Sequence, residues 1–565
     1  MASHRVKQYA KLLEPKLLTV LREGYTSADL RRDAVAGLTV AIVALPLAMA
    51  LAIASGTTPE KGLYTAIIAG FLISALGGSR VQIGGPTAAF IPVVFVVIER
   101  FGIGGLILCT LLAGLMLIAA GLMRLGTLMK YMPQPVITGF TAGIAISIFS
   151  SQIKDALGLQ MGNVPADFLA RWQAYGQHVA TAQPAALGIT LLGLAVILTM
   201  RRWFPRWPGF LIALLLCSLV SIGLPAETIG SRFGMLPSAL PSFEIPHIPF
   251  ERTGELLPSS FTIAFLAGVE SLLSAVVADG MTGGRHRSNC ELVAQGVANV
   301  GSALFGGLPA TGAIARTATN VRAGGHSPIA GMLHAALLLV FMLALAPLMR
   351  FVPLAALASV LLVVAWNISE YEHFRHTLSA PKGDRLVLLL TFFLTVFFDL
   401  TLAIEVGLVV AAFVFMFRMA EAVEVTSGVK LIEDNGEVPT DLSQRDRLPP
   451  GVEAFQISGP LFFGAANRLD NLLDQFRDPP KVFILRMRLV PIVDSSGVHA
   501  LKALLDRCRR RGIVLVMSGL QPQPRRVIAK MHLHPREGEL HFVADFESAL
   551  QLSAQLVGVS TPERE

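Results

Sequence analysis

Charge is what this sequence has least of. Of 565 residues, 15% are charged and 53% hydrophobic, and the mean hydropathy is +0.61; a soluble chain would carry about 25% charge. The deficit falls on residues 33 to 418, while the tail has an ordinary share. That pattern excludes a purely soluble protein and gives a polytopic α-helical membrane domain followed by a soluble one. Cysteine is scarce too. Cys109, Cys217, Cys290 and Cys508 form no CxxC pair and no zinc spacing with histidine, so a disulfide framework or zinc site is not expected. The twelve histidines include no HExxH, and no nucleophile–base set appears, so no enzyme and no cofactor is expected. A cleavable signal peptide is also missing. The first 33 residues are charged throughout, so the first membrane helix is read as the insertion signal.

What is present in quantity is apolar sequence cut by short basic loops. Roughly 20 apolar residues cross a bilayer as a helix. On that measure about fourteen crossings are expected, at 34–53, 62–78, 86–98, 102–123, 134–152, 184–200, 208–224, 259–278, 290–305, 311–323, 327–349, 352–367, 384–399 and 401–418. With the N-terminus inside, the inner loops hold twelve basic residues: Arg80, Arg124, Lys130, Arg201, Arg202, Arg206, Arg285, Arg287, Arg322, Arg375, Lys382 and Arg385. Short outer loops hold Lys61, Arg100 and Arg350; longer ones add Lys154, Arg171, Arg232 and Arg252. This bias places both termini in the cytoplasm. The same loop placement explains the net charge of +7 without nucleic acid. Expected boundaries are a cytoplasmic segment 1–32, a membrane domain 33–420 with halves 33–224 and 259–418, and a cytoplasmic domain 421–560.

The two halves share a motif. "VQIGGPTAAFIPVV" opens the third segment and "LFGGLPATGAIART" the tenth. Each sets Gly-Gly, Pro, small residues and Thr before a short helical run, and each lies about fifty residues into its half. Paired Gly/Pro-interrupted segments mark an inverted-repeat transporter, and seven crossings per half make the copies antiparallel. A helix beginning inside the membrane presents unpaired N–H groups and a partial positive charge. Two such ends meeting at mid-membrane attract an anion. The donors expected are the N–H groups around Thr87, Ala88 and Ala89, and around Gly312, Ala313 and Ile314, with hydroxyls from Thr87 and Thr311. Arg316, on the first turns of the tenth segment, adds positive potential. Its alternatives are a salt bridge to Glu270 or Glu405, or snorkelling to the inner face.

Glu270 is the acid well inside "FTIAFLAGVESLLSAVVADG", where a carboxyl can carry a proton or serve as a static partner of Arg316. Ser274, one turn on, shares its face and could assist a cation. Pro46 should break or kink the first helix, lining a cavity with Leu47, Ala48 and Met49. Asp399 should end a helix at solvent, Glu405 should pack as a structural partner, and His334 should be a packed histidine. In the tail, strands and helices alternate: "VTSGVKLI", "VEAFQISGPLFFG", "KVFILRM" and "IVLVMSG" read as strands. "AANRLDNLLDQF", "SSGVHALKALLDRCRRRG", "PQPRRVIAKM" and "ADFESALQLSAQL" read as helices, giving a small α/β domain. "VDSSG" puts Ser495 and Ser496 at a strand-to-helix turn, where Ser or Asp would cap the helix or a serine would be phosphorylated.

"LPLAMALAIASG", "KGLYTAIIAG", "GGPTAAF", "ESLLSAVVADGMTGGRHRSNCELVAQGVAN" and "GGLPATGAIARTATNVRAGG" resemble the sulfate permease (SulP) family of anion transporters over nearly the whole chain. "SGPLFFGAANRL" and "VDSSG" resemble the STAS domain that ends those proteins. The resemblance implies a uracil-permease-like 7+7 inverted repeat with core and gate domains, elevator-type motion and a homodimer. It puts the anion site on Thr87, Ala88, Ala313, Ile314, Ala315 and Arg316, and the coupling acid on Glu270. Sodium-coupled bicarbonate members carry Asp, Thr and Thr where this chain has Glu270, Ser274 and Ile314, so a proton is the expected coupling ion. "PLAMALAIASG" and "VLLVVAWNISE" most resemble bacterial four-carbon dicarboxylate permeases. The phosphoserine of anti-sigma antagonists falls on Ser495, and a cytoplasmic protein partner of the STAS domain is implied. The function expected is proton-coupled uptake of a small carboxylate across the inner membrane. Sulfate or bicarbonate transport, an uncoupled anion channel and a membrane-tethered signalling module are the alternatives.

Overall fold

The computed structural model describes residues 12–127, 132–162, 164–205, 207–235, 250–421, 423–427, 448–462, 473 and 479–558. Two compact units divide at Ala411 and Ala412. In the first unit the elements run α1 (Lys16–Glu23), α2 (Ser27–Ala54), α3 (Pro59–Leu76), β1 (Gly84–Gly85), α4 (Ile91–Leu122), α5 (Gln134–Leu157), α6 (Phe168–His178), α7 (Pro184–Trp203), α8 (Gly209–Ser221) and α9 (Ile229–Phe233). The second half follows with α10 (Thr253–Thr282), α11 (Ser288–Leu304), β2 (Thr311–Gly312), α12 (Ile314–Arg322), α13 (Pro328–Met349), α14 (Leu354–Ile368), α15 (Tyr371–Thr377), α16 (Lys382–Phe397) and α17 (Leu400–Glu421).

Each of the fourteen expected segments lands on a helix. Eight described stretches are long and apolar enough to cross a membrane; α3, α8, α11, α12 and α16 are shorter or more polar. The third and fourth segments run into one another as α4, bent at Gly102, whose φ of 69° departs from the helix. Pro46 does not interrupt the first helix: α2 is continuous through it. Beyond the proline α3 packs closely on α2: a Cβ on Gly62 would approach the Ala48 carbonyl to 2.0 Å. The first helix also begins earlier than expected, at Ser27, where the Thr26 hydroxyl and the Asp29 carboxylate form a capping box.

The helices pack in two groups. One joins α2, α3, α4, α10, α11, α12 and α13; the other joins α5, α7, α8, α14 and α16. Small residues bring backbones together, as at the α4–α11 crossing, where Gly114 and Gly296 each face the other's carbonyl. Polar ties join segments near the helix ends. Arg80 pairs with Glu23 at 2.6 Å, and Arg287 donates to the Glu14 carbonyl at 2.7 Å and the Thr19 hydroxyl at 3.0 Å. In a separate cluster, Arg232 pairs with Asp155 at 2.8 Å, and Ile229 N–H donates to the Val352 carbonyl. Lys130 and Arg206 of the expected inner loops lie outside the described residues.

The second unit holds β3 (Glu424–Ser427), β4 (Val452–Ser458), β5 (Val482–Leu489), α18 (Ser495–Arg510), β6 (Val514–Ser518), α19 (Pro522–Lys530), β7 (Leu540–Val543) and α20 (Phe546–Val557). The sheet order is β3-β4-β5-β6-β7, antiparallel at β3–β4 and parallel elsewhere. Both sheet faces are apolar: Phe455, Phe483, Leu485, Leu501 and Leu504 fill one cluster, and Ala454, Ile484, Val516 and Ala549 another. That burial is why β5 reads "VFILRM" without alternation. β7 escaped the sequence reading, because "LHFV" is short and flanked by histidines and acids. Of the expected helix "AANRLDNLLDQF" only Leu473 is described, and the end of "VTSGVKLI" lies outside the described residues.

Candidate functional site

The two Gly-Gly-Pro motifs meet. β1 and β2 pair antiparallel, Gly84 opposite Gly312 and Gly85 opposite Thr311. Two copies of one motif related by inversion meet in that sense. Glycine is required at the crossing: Gly85 has φ of 146°, and a Cβ on Gly312 would fall 1.6 Å from Gln82 Nε2.

Each strand leads into a helix start. Thr87 is extended, and the 3₁₀ turn Ala88–Phe90 follows without a side-chain cap. Ala313 is likewise extended, and α12 starts after it with no side-chain cap. The first helical hydrogen bond of α12 runs from Thr317 N to the Ala313 carbonyl. The N–H groups of Ile314 and Ala315 therefore precede any acceptor in their own helix. One expected donor is lost: Ala313 N–H donates to the Ile83 carbonyl at 2.8 Å, because it continues the β1–β2 ladder. The donors left are Ala88 and Ala89 on one side, and Ile314 and Ala315 on the other. Ile314 is 39% exposed while Ala88 and Ala313 are buried, so the open side of the crossing is at α12.

Arg316 is 4% exposed. Its Nη2 donates to the Pro86 carbonyl and its Nη1 to the Gly84 carbonyl at 3.5 Å. Neither expected partner carboxylate, Glu270 or Glu405, forms an ion pair with it among the described residues. Nor does it snorkel. The guanidinium instead ties α12 to the turn before the other half-helix, and two carbonyl dipoles only partly offset its charge.

One face of α10 serves both motifs. Thr311 Oγ1 donates to the Ala267 carbonyl at 2.8 Å, Thr87 Oγ1 to Glu270 Oε2 at 3.0 Å, and Gln82 Nε2 to the Ser271 carbonyl at 3.2 Å. Ser274 Oγ donates to Thr317 Oγ1 at 3.1 Å, and Thr317 Oγ1 also accepts Ile83 N–H at 3.0 Å. Positions 267, 270, 271 and 274 share a helix face, so the sequence spacing carries over into a single contact surface. Ser274 is fully buried and its hydroxyl is engaged, so it positions Thr317 here and does not line an open site for a cation. Ala48 and Met49 are buried on α2, which packs against α12.

Other residues sort differently from expectation. Glu405 is exposed and lines a cavity of about 630 Å³ with Arg100, Arg171, Phe95 and Asp399; it is not a buried packing partner. Asp399 is at a helix end as expected, accepting Leu402 N–H at 2.8 Å. His334 is fully buried, but neither ring nitrogen has a protein partner among the described residues. In the second unit the expected cap of "VDSSG" is Asp494, which caps α18 by accepting Gly497 N–H at 2.8 Å. Ser495 is exposed at the first helical position. The sequence reading missed Gln82, Thr317 and Glu291. Gln82 stands two residues before the Gly-Gly motif and Thr317 one after Arg316, so adjacency to the motif was the available signal; Glu291 gave none beyond an acid in an otherwise apolar segment.

Comparison with known proteins agrees with this geometry. A family model described as "Sulfate permease family" matches residues 30–391, and one for the STAS domain matches 446–549. The putative sulfate transporter YvdB of Bacillus subtilis is 42% identical over 524 residues, 92% of this chain and 97% of that one. The bicarbonate transporter BicA of Synechocystis is 30% identical over 542 residues, covering 94% and 95%. The solved transmembrane domain of a cyanobacterial BicA superposes with a TM-score of 0.61 at 31% identity, over 69% of this chain and 98% of that one. Murine Slc26a9 in its inward-facing state gives a TM-score of 0.86 at 18% identity over 97% and 95%, a likeness of fold alone. The 7+7 helical membrane fold, the tail's parallel sheet and the crossed half-helices thus have one explanation: the chain is a multi-pass membrane protein that belongs to the sulfate permease family of transporters.

Proposed function

We propose that this chain is a proton-coupled secondary transporter that binds a small oxyanion between the 3₁₀ turn at Ala88 and the start of α12. The observation that carries this is the pair of uncapped helix starts facing one another across β1 and β2. Ala88, Ala89, Ile314 and Ala315 supply the N–H donors, and Thr87 and Arg316 hold the two starts in place. Ala48 and Met49 back the site from α2. Glu270 takes up the proton: its carboxylate is bonded to Thr87, one residue from the donor Ala88, so protonation and anion arrival act on the same turn. Ser274 supports α12 through Thr317.

Sulfate and bicarbonate are the leading substrates, because the relatives above are named for them. A four-carbon dicarboxylate is the second reading, favoured by the "PLAMALAIASG" and "VLLVVAWNISE" segments. Both substrate classes present oxygens that accept N–H donors, so charge alone does not choose between them. A proton is favoured over sodium because Glu270, Ser274 and Ile314 replace the Asp, Thr and Thr of sodium-coupled members. The protein would sit in the inner membrane as a homodimer, with both termini, the segment 1–32 and the STAS domain (421–560) in the cytoplasm and the transport domain at 33–420. Exposed Ser495 would be open to phosphorylation and the STAS domain to a protein partner. Proteoliposome uptake of labelled sulfate, bicarbonate and succinate, under imposed pH or sodium gradients, tests this. Uptake driven by inward protons is expected; flux driven by sodium and indifferent to pH contradicts it. Large non-saturating currents would indicate a channel.

A further inference from the structure

Glu291 is another carboxylate of the membrane unit, more deeply buried than Glu270. It is 0% exposed and lies in the first turn of α11. Its Oε2 accepts Gly78 N–H at 2.8 Å and Ser79 N–H at 3.2 Å. Its Oε1 accepts Gln295 Nε2 at 2.9 Å and the Ser271 hydroxyl at 3.5 Å. Ser271 follows Glu270 in the chain, and its carbonyl accepts from Gln82. This places one hydroxyl between the neighbourhoods of two carboxylates on adjacent helices.

Two amide oxygens beside this pair, Gln82 Oε1 and Gln295 Oε1, are buried without a protein partner. Gln82 is 3% exposed and Gln295 0%. A buried acceptor in that condition is ordinarily served by an ordered water, while Ser271 and Gln295 reach Glu291 directly. We propose that Glu291, bonded to Ser271 and Gln295 and joined through Ser271 to a water on Gln82, forms a proton relay linking Glu270 to the face of the membrane unit that carries α1. The relay rests on the proton-coupled reading above.

A proton leaving Glu270 passes to the water on Gln82. That water hands a proton on through the Ser271 hydroxyl to Glu291, and each carrier regains its own hydrogens. Glu291 then releases the proton toward His286, whose Nδ1 lies 2.7 Å from Asp279 and whose Nε2 lies 2.9 Å from the Ser288 hydroxyl. Around this exit stand Cys290, His286 and Arg287 at the start of α11, Asp279 on α10, and Glu14 and Lys16 beside α1. Toward α3 and α4, α11 meets the uncharged Ile68, Leu72, Gly114, Ile118 and Gly121. A purely structural role, holding the 77–79 loop, needs only an acceptor oxygen, which glutamine also supplies.

The test uses the full chain in proteoliposomes with labelled sulfate, or bicarbonate where the wild type carries it. Glu291→Gln should keep anion counterflow within about twofold of wild type, because exchange releases no proton, while uptake driven by a pH gradient falls by about tenfold or more. Gradient-driven uptake unchanged in Glu291→Gln overturns the relay. If that variant loses counterflow as well, Gln295→Leu decides: slowed gradient-driven uptake with intact counterflow supports the relay, and both lost or both unchanged overturns it. Wild-type flux indifferent to pH would instead remove the proton-coupled reading itself.

Discussion

Two pairs of helix starts are treated in opposite ways. In the tail, α18 begins under Asp494 and α20 under Asp545, each carboxylate accepting an N–H from its own first turn. In the membrane unit, the 3₁₀ turn at Ala88, which is buried, and α12, which opens on the exposed Ile314, begin with no side-chain cap. Leading N–H groups must be satisfied in either setting. At α18 and α20 a fixed acid does so; at the two half-helix starts no side chain does, which is the opening the proposed anion would fill. The half-helices themselves are unequal. The second carries Arg316, and the first supplies the carbonyls that receive it. Inversion sets the two starts against one another, and the arginine ties them together.

The change that most directly erases this difference is Ala313→Asp, which would give α12 the cap that α18 has. A carboxylate there competes with the anion for Ile314 and Ala315, and sulfate or bicarbonate affinity should fall by about 100-fold or more, read by titration of the purified protein. Arg316→Ala removes the lock. It strands the buried Pro86 carbonyl and should cost about 2–3 kcal/mol of anion affinity, on the order of 30- to 150-fold; unchanged affinity would contradict the site. Gly312→Ala sets a Cβ against Gln82 and should destabilise the detergent-solubilised protein by about 1–3 kcal/mol. A further Gln82→Ala should restore part of that loss in a thermal-shift assay.

The smallest expected effect lies in the tail. Asp494→Ala should cost the STAS domain about 1 kcal/mol without changing anion affinity. Asp545 adds a pH signature. Hydrogen bonds from the backbone N–H and side chain of Ser548 hold its carboxyl below the usual range, so its contribution is present above the unfolded value and fades as the pH falls through the folded one. Asp545→Asn should flatten the acid limb of the tail's stability curve.

Much of this was legible in the sequence. The doubled Gly-Gly-Pro motif located both half-helix starts, and spacing along α10 placed Glu270 and Ser274 on one face, which the structure sets against them. Three things were hidden, each because it depends on the chain across the crossing. Ala313 N–H is taken by Ile83 only once β1 and β2 pair. Arg316 finds carbonyls of residues 84 and 86, not an acid, only once the motifs meet. Pro46 was expected to break or kink the first helix, yet α2 is one helix through it, which the sequence of α2 alone does not show. Glu291 needed the loop at 77–79 to fold back onto α11 before its role could be asked about.

A structure with sulfate or bicarbonate bound tests the central claim most directly. The account predicts anion oxygens about 3 Å from the backbone nitrogens of Ala88 or Ala89 and of Ile314 or Ala315, with Arg316 still bonded to Pro86. An anion seated instead against Arg100 and Arg171 in the cavity beside Glu405, with those four nitrogens untouched, would contradict it.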